Sequence, residues 1–326
     1  MRIRNCAFTL LLGLTMVGCN WSNQDLEFLY ALPTRDALGA RAPDQAATTT
    51  TQGLGQQTSA LSVSAPSPMF QKTVGAAQHF NSMLFGILDV LERVSQLPPT
   101  RREANRRVWG PIRDRQHPDR EVRLVVERAR QPDDSFVYAW HIQMRWVGDP
   151  DTAWVALVEG SYVPGLDIRR GTGSLRHDAA AVRAAGFAST DADPNLLSVD
   201  IGYDTGSDPL FVAMHLAFTS RTLDSEFEEF ADGNARLVFD VTADFVHGPS
   251  GLPETARFTS RWIAGGAGRT DAVALVGGDL AVMTAIGEEC WDQTFSTVYF
   301  REAYDLDGNG TVDGTGGNAS ACAVPP

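Results

Sequence analysis

The chain has 326 residues, with 27 lysines and arginines against 40 aspartates and glutamates, which gives a formal net charge of −13 at pH 7. A chain this acidic is a poor candidate for binding nucleic acid or an anionic lipid surface, because both would repel it. Lys72 is the single lysine. No lysine therefore follows a glycine-rich phosphate loop, and a P-loop site is excluded.

The first nineteen residues have the layout of an export signal. Two arginines occur in the first four residues, and residues 7–17 form the apolar run AFTLLLGLTMV, followed closely by Cys19. The run is too short to span a bilayer comfortably and has the length of a signal-peptide core. An ordinary secretory signal with a coincidental cysteine also fits this pattern.

The sequence Met16-Val17-Gly18-Cys19 resembles the lipobox of bacterial lipoproteins, although that family prefers leucine where this chain has Met16. The resemblance covers residues 1–20 only. It implies that residues 1–18 are a signal peptide, that Cys19 is acylated, and that Asn20 favours sorting to the outer membrane. The mature protein is thus predicted to be anchored in the cell envelope through lipid on Cys19.

Four cysteines occur in the chain. Cys6 leaves with the signal peptide and Cys19 would carry lipid, so Cys290 and Cys322 remain as an even pair in an oxidising compartment. Such a pair predicts a disulfide. Two free thiols or a metal pair are the alternative.

Residues 19–70 are predicted to form the lipid anchor and a flexible tether, because residues 33–68 are rich in Ala, Thr, Gln, Ser and Gly and have little to bury. The folded domain is predicted over residues 71–326. It opens with an amphipathic helix that ends before Pro98. One apolar stripe at helical spacing supports this helix: Phe80, Leu84, Ile87, Leu88, Leu91 and Val94.

The hydrophobic period changes to two after the helix. In residues 136–146, apolar and aromatic side chains occupy the even positions, and His141, Gln143 and Arg145 are among the odd ones, which is typical of a strand with one buried face. Similar alternation recurs at 122–126, 214–218, 237–245 and 258–262. Turn sequences separate these segments, so we predict a mainly β fold, an antiparallel up-and-down meander forming a curved sheet or barrel. The segment 178–185 predicts a short helix that ends at Gly186.

Catalytic motifs find no support in the sequence. No Gly-x-Ser-x-Gly elbow occurs, and the histidines do not show the spacing of a metal-binding helix. His141 and His215 each lie on the polar face of a predicted strand and could approach each other across a sheet. Solvated surface histidines are the simpler interpretation.

The segment 304–314, YDLDGNGTVDG, carries the sharpest local motif. Counted from Asp305, oxygen donors fall at positions 1, 3, 5, 7 and 9 of a calcium loop, and Gly310 occupies position 6. The donors are the side chains of Asp305, Asp307, Asn309 and Asp313 and the carbonyl of Thr311. Position 12 is Gly316, so the bidentate acid of an EF-hand is missing. The alternative is a turn without an ion, because Asp-Gly and Asn-Gly are also strong turn formers.

The sequence therefore predicts a lipid-anchored envelope β-domain with a binding or structural role and no catalytic activity. One helix followed by an antiparallel meander also resembles, in architecture only, the half-barrel carriers of lipids or lipoproteins. An apolar half-barrel cavity is thus the first alternative. A secreted hydrolase with carboxylates on separate strands is the second. Partners are predicted to be the membrane, through Cys19, and an unknown protein or apolar ligand.

Overall fold

The computed structural model describes residues 22–43, 61–115, 117–188, 193–246 and 251–326. Fifteen strands form one antiparallel sheet in which every strand pairs with the strands before and after it. This confirms the predicted antiparallel meander. Among the described residues, the first and last strands do not pair with each other, so the sheet is open and not a closed barrel. The predicted signal peptide and Cys19 lie outside the described residues.

The strands are β1 Arg101–Glu103, β2 Arg106–Arg113, β3 Arg120–Arg130, β4 Phe136–Trp146, β5 Val155–Pro164, β6 Gly171–His177, β7 Leu196–Asp204, β8 Leu210–Phe218, β9 Thr222–Glu229, β10 Ala235–Ala243, β11 Glu254–Trp262, β12 Gly268–Val276, β13 Ala285–Trp291, β14 Thr297–Glu302 and β15 Thr315–Gly317. The helices are α1 Asn23–Tyr30, α2 Arg35–Leu38, α3 Pro68–Ser95 and α4 Ala179–Ala184.

The sheet has one apolar face, and β4 shows it best. Tyr138, Trp140 and Ile142 are buried, whereas His141 and Gln143 between them are half-exposed, as the period of two predicts. Equivalent buried positions continue through the neighbouring strands and form one core. We call this apolar side the inner face and the opposite side the outer face.

Four aromatic rings of the sheet each lie over a glycine directly opposite on the neighbouring strand. The pairs are Trp140 with Gly160, Tyr203 with Gly173, Trp291 with Gly268, and Phe300 with Gly316. At Gly160, a Cβ would stand 2.3 Å from the Trp140 ring, and the other three glycines are equally crowded. Only glycine permits this approach, so the pairs fix the register of the strands.

Helix α3 covers the inner face. Its predicted stripe is confirmed, because Phe80, Leu84, Leu88, Leu91 and Val94 are buried. The helix packs against β2 and β3 from one half of the sheet and against β10 and β12 from the other. A flat sheet would present its middle strands to the helix instead, so the sheet curves around α3.

The segment 22–43 differs from the expected tether. It forms α1 and α2, and Phe28 and Leu38 are fully buried. Asp25 of α1 is also fully buried and accepts hydrogen bonds from Arg107 Nε at 2.7 Å and Arg102 Nε at 3.1 Å. A buried carboxylate requires such partners, and this one docks α1 against β1 and β2.

Two further predictions are confirmed. Cys290 in β13 and Cys322 form a disulfide across a sequence separation of 32 residues. Helix α4 occupies the predicted short helical segment, and Gly186 after it has a positive φ of 78°. Within the described ranges, no helix combines the length and apolar content that crossing a bilayer requires.

The Asp25 pair yields a stability prediction. Burial alone would raise the pKa of Asp25, but hydrogen bonds from Ser22, Arg107 and Arg102 hold that pKa at about 2. We expect Asp25→Ala to lower the free energy of unfolding by about 3 kcal/mol, because Arg107 is left buried without its carboxylate. Urea unfolding at pH 7 measures this.

Glu27→Ala is the matched control on the same helix. Glu27 pairs with Arg128 at 2.7 Å but is half-exposed, so its loss should cost under about 1 kcal/mol. Equal losses in the two variants would show that the buried pair does not dock α1.

Candidate functional site

A cavity of about 360 Å³ lies between α3 and the inner face of the sheet. Helix α3 borders it with Met83, Gly86, Ile87 and Val90. The remaining apolar wall comes from the sheet, from α4 and from the segments that flank α4. Those residues are Ile142, Leu157, Val158, Ala179, Val182, Phe187, Ala188, Leu196 and Val199. Gly86 and Asp193 on its border are exposed, so the cavity is a half-open apolar pocket at the edge of the hydrophobic core.

Gly86 is exposed and borders this free space. A Cβ placed on Gly86 would have no heavy atom within 4 Å, apart from its own helix and chain neighbours. Glycine inside a helix costs about 1 kcal/mol relative to alanine. Since nothing crowds this position, neither packing nor backbone geometry requires a glycine there.

Three polar residues line the cavity as well: His177 at the end of β6, Arg183 on α4, and Asp193 before β7. We call these three residues the mouth. His177 Nδ1 lies 2.7 Å from the Leu157 carbonyl, so that nitrogen donates to it. Arg183 Nη1 donates to the Leu196 carbonyl at 2.7 Å. These bonds hold two polar side chains at the edge of an otherwise apolar space.

The outer face carries a row of charges across β4 to β9. Each member lies directly opposite the next on the adjacent strand, in the order His141, Glu159, Arg176, Asp200, His215 and Asp224. These residues border an open groove of about 630 Å³. Arg176 pairs with Asp200 at 2.7 Å, and His215 Nδ1 lies 2.6 Å from Asp224. The members therefore satisfy one another, as expected of a solvated face.

His141 and His215 do not approach each other. They share the row but lie on β4 and β8, four strand spacings apart, which is roughly 19 Å. The prediction that they could approach each other across the sheet is wrong. Strand pairing places both residues in one row, but the intervening strands keep them apart. The two side chains cannot share a metal ion.

The predicted calcium loop brings only part of its donor set together. Asp305 and Asp307 are buried and, with Glu302, place carboxylate oxygens within 4.8 Å of one another. Asn309 Nδ2 donates to Asp307 at 2.9 Å and to Asp313 at 3.4 Å.

The outer part of the loop makes further contacts of its own. Thr311 is exposed, and its hydroxyl donates to Asn309 Oδ1. Asp313 Oδ2, which accepts from Asn309, also accepts the Leu61 amide at 2.6 Å. The carboxylates at the centre are hard oxygen donors of the kind that calcium prefers.

Sequence reasoning missed two members of this cluster. Glu302 lies on β14, three residues before the motif, and accepts the Leu306 amide at 2.7 Å and the Asp313 amide at 2.7 Å. Lys72 of α3 donates to the Leu306 carbonyl at 2.9 Å. The position of Glu302, three residues before Asp305, is a weak sequence signal that it belongs to the cluster. No local sequence feature connects Lys72 to a loop 234 residues away.

The crowding of acids shifts their protonation. Burial, together with the nearby Asp305 and Glu302 carboxylates, raises the pKa of Asp307 to about 7. Burial also raises the pKa of Glu302 and lowers that of Lys72. Three carboxylates beside one ammonium leave unbalanced negative charge, which a divalent cation would neutralise.

Glu289 of β13 is a further buried acid, at the N-terminal end of α3. Its carboxylate accepts the Met69 amide at 3.1 Å and the Thr297 hydroxyl at 2.6 Å. The positive end of the helix dipole favours a carboxylate at this place. Burial nevertheless dominates and, helped by repulsion from Glu302, raises the pKa of Glu289 to about 6.

Comparison with known proteins adds no assignment to this geometry: no protein-family model matches the chain, and no curated protein or solved structure matches it. The function is therefore argued from the sites themselves.

The calcium site stays a prediction with a direct test. We expect the site to bind calcium with a Kd of about 10⁻⁴ M, as extracellular calcium modules do. A calcium concentration of 10 mM is then a hundredfold excess over Kd and stabilises the fold by about 2.7 kcal/mol, so the melting temperature should rise by several degrees. Asp307→Asn should abolish the shift, and the exposed turn variant Asp232→Asn should retain it. Thermal unfolding by circular dichroism measures both. An unchanged melting temperature of the parent protein in calcium would overturn the prediction.

Glu289 yields a pH prediction. A carboxyl whose pKa is raised on folding holds its proton more tightly in the native state, so its stabilising contribution is present below about pH 4.5. That contribution is lost as the pH rises through about 6. We expect Glu289→Gln to remove roughly 2 kcal/mol of the fall in stability between pH 4.5 and pH 7.5.

Urea unfolding at both pH values checks this. The control is Glu159→Gln, which alters a largely exposed carboxyl on the outer face. A Glu289→Gln variant with the same pH dependence as this control would contradict the prediction.

Proposed function

We propose that this protein is a lipid-anchored envelope protein that binds one acyl chain in the cavity between α3 and the inner face of the sheet. The observation that carries the proposal is the cavity itself, about 360 Å³ of mostly apolar space that opens to solvent beside α3. Ligand pockets are concave and mostly apolar, and they begin at about 300 Å³.

The volume suits a single chain. A water molecule takes about 30 Å³ in the liquid, and a methylene group is of similar size, so the cavity holds roughly a dozen methylenes. Burying each methylene contributes about 0.8 kcal/mol, which is enough to offset the loss of freedom of the ligand and bind it measurably.

The proposed location supports the same function. The resemblance of residues 16–19 to a lipobox supports a location at a membrane, where acyl chains are abundant. The acidic net charge of −13 disfavours binding to anionic lipid surfaces directly. A covalent anchor on Cys19 would then supply the membrane attachment that the charge opposes.

The contents of the cavity favour binding over catalysis. Its walls present apolar side chains, and the polar residues of the mouth are held by backbone hydrogen bonds. The converging carboxylates of Glu302, Asp305 and Asp307 belong to another part of the fold and accept backbone amides. The proposed role therefore requires no reaction.

Gly86 provides the test. We expect Gly86→Phe to fill the cavity without a clash, because a side chain at this position enters open space. Binding of the apolar fluorescent probe 1-aminoanthracene should weaken at least tenfold, with no loss of thermal stability. Native mass spectrometry of the chain from residue 20, purified without lipid, should show acyl ligands on the parent protein and none on this variant.

Gly86→Ala is the matched control. It adds one methyl group, should keep probe binding, and should stabilise the fold by up to about 1 kcal/mol through helix propensity. Equal probe affinity of Gly86→Phe and the parent protein would contradict the proposal.

A further inference from the structure

The mouth of the cavity offers a basis for recognising the polar end of a ligand. The other described residues that line the cavity are apolar or glycine. The mouth residues come from three consecutive pieces of chain, namely the end of β6, α4 and the segment before β7. The cavity is therefore amphipathic, and its described polar residues are His177, Arg183 and Asp193.

Arg183 is the cation of the mouth. It is half-buried, and its Nη1 donates to the carbonyls of Leu196 at 2.7 Å and Asp193 at 3.4 Å. Within the described residues, the partners of this guanidinium are those two backbone carbonyls. A guanidinium has five N–H donors in a planar fork that matches a carboxylate, and the two carbonyls occupy only Nη1.

The other two mouth residues complement this arrangement. The Asp193 carboxylate is occupied in its own turn, where Oδ1 accepts the Asn195 amide at 2.8 Å. His177 uses Nδ1 for the Leu157 carbonyl, which leaves Nε2 as its second polar atom. Arg183 is thus the mouth residue with both a fixed charge and spare donors.

We propose that the ligand is a single-chain amphiphile with a carboxylate head, and that Arg183 pairs with that head while the chain fills the apolar part of the cavity. This inference rests on the proposed function, since it requires that the cavity binds an acyl chain. Charge-assisted hydrogen bonds from a guanidinium to a carboxylate are stronger than neutral ones, so the head group should contribute measurably to affinity.

Laurate and 1-dodecanol separate the two parts of the argument, because they share a chain length and differ in the head. We expect the parent protein to bind laurate at least tenfold more tightly than 1-dodecanol in isothermal titration calorimetry at pH 8. Arg183→Gln should weaken laurate binding at least tenfold and leave 1-dodecanol binding unchanged. Arg183→Lys should restore part of the laurate affinity, because it restores the charge without the planar fork.

Arg169→Gln is the control, since it removes an arginine that does not line the cavity. It should change neither affinity. Unchanged 1-dodecanol binding in Arg183→Gln also shows that this variant remains folded.

The outcomes distinguish the two proposals. Equal binding of laurate and 1-dodecanol by the parent protein, or an equal loss of both in Arg183→Gln, would overturn head-group recognition and leave the acyl-chain cavity standing. Failure of both ligands to bind the parent protein would overturn the proposed function itself.

Discussion

The structure depends on one constraint: an open sheet of fifteen strands has a single apolar face, and that face must be covered. The main cover is α3, whose 28 residues span about 42 Å in helical form. One helix is too narrow to cover so many strands if they lie flat. The sheet satisfies the constraint by curving around the helix, and α1, α2 and α4 cover what remains. The cavity beside Gly86 is the part of the inner face that this set of helices leaves unfilled.

Polar contacts at one end of α3 determine where the cavity falls. Glu289 accepts the Met69 amide, and the Thr73 hydroxyl lies 2.7 Å from that of Ser260. Both contacts are buried and directional, whereas the apolar stripe could slide by a turn at little cost. They hold the N-terminal end of the helix against β11 and β13. Gly86, three to four turns further on, is thereby placed opposite β4, β5 and β7.

The sequence predicted those features that repeat locally. The alternation over 136–146 matches β4 residue for residue, and the stripe ending at Val94 identifies α3. Amino-acid composition predicted a tether for residues 22–43, and this prediction failed. Asp25 docks the segment onto arginines some 80 residues away in sequence, and the low-complexity sequence that follows gives no sign of that contact. The acidic cluster was predicted only in part, for the same reason. Asp305 and Asp307 belong to a motif, but Glu302 and Lys72 join them only through tertiary packing.

On the outer face the charged groups are paired, whereas the inner face leaves an apolar cavity open. This difference is the reason for proposing the function on the inner face. The outer row alternates cationic or histidine members with acids, so the charges find partners within the sheet and a ligand would have to replace them. In the inner cavity, by contrast, no described side chain covers the apolar walls. An acyl chain would complete the hydrophobic core, and the fold would gain stability in proportion to RT ln(1 + [L]/Kd). Binding of an acyl chain would therefore be coupled to folding on the inner face, because occupancy there would bury apolar surface that the described residues leave open.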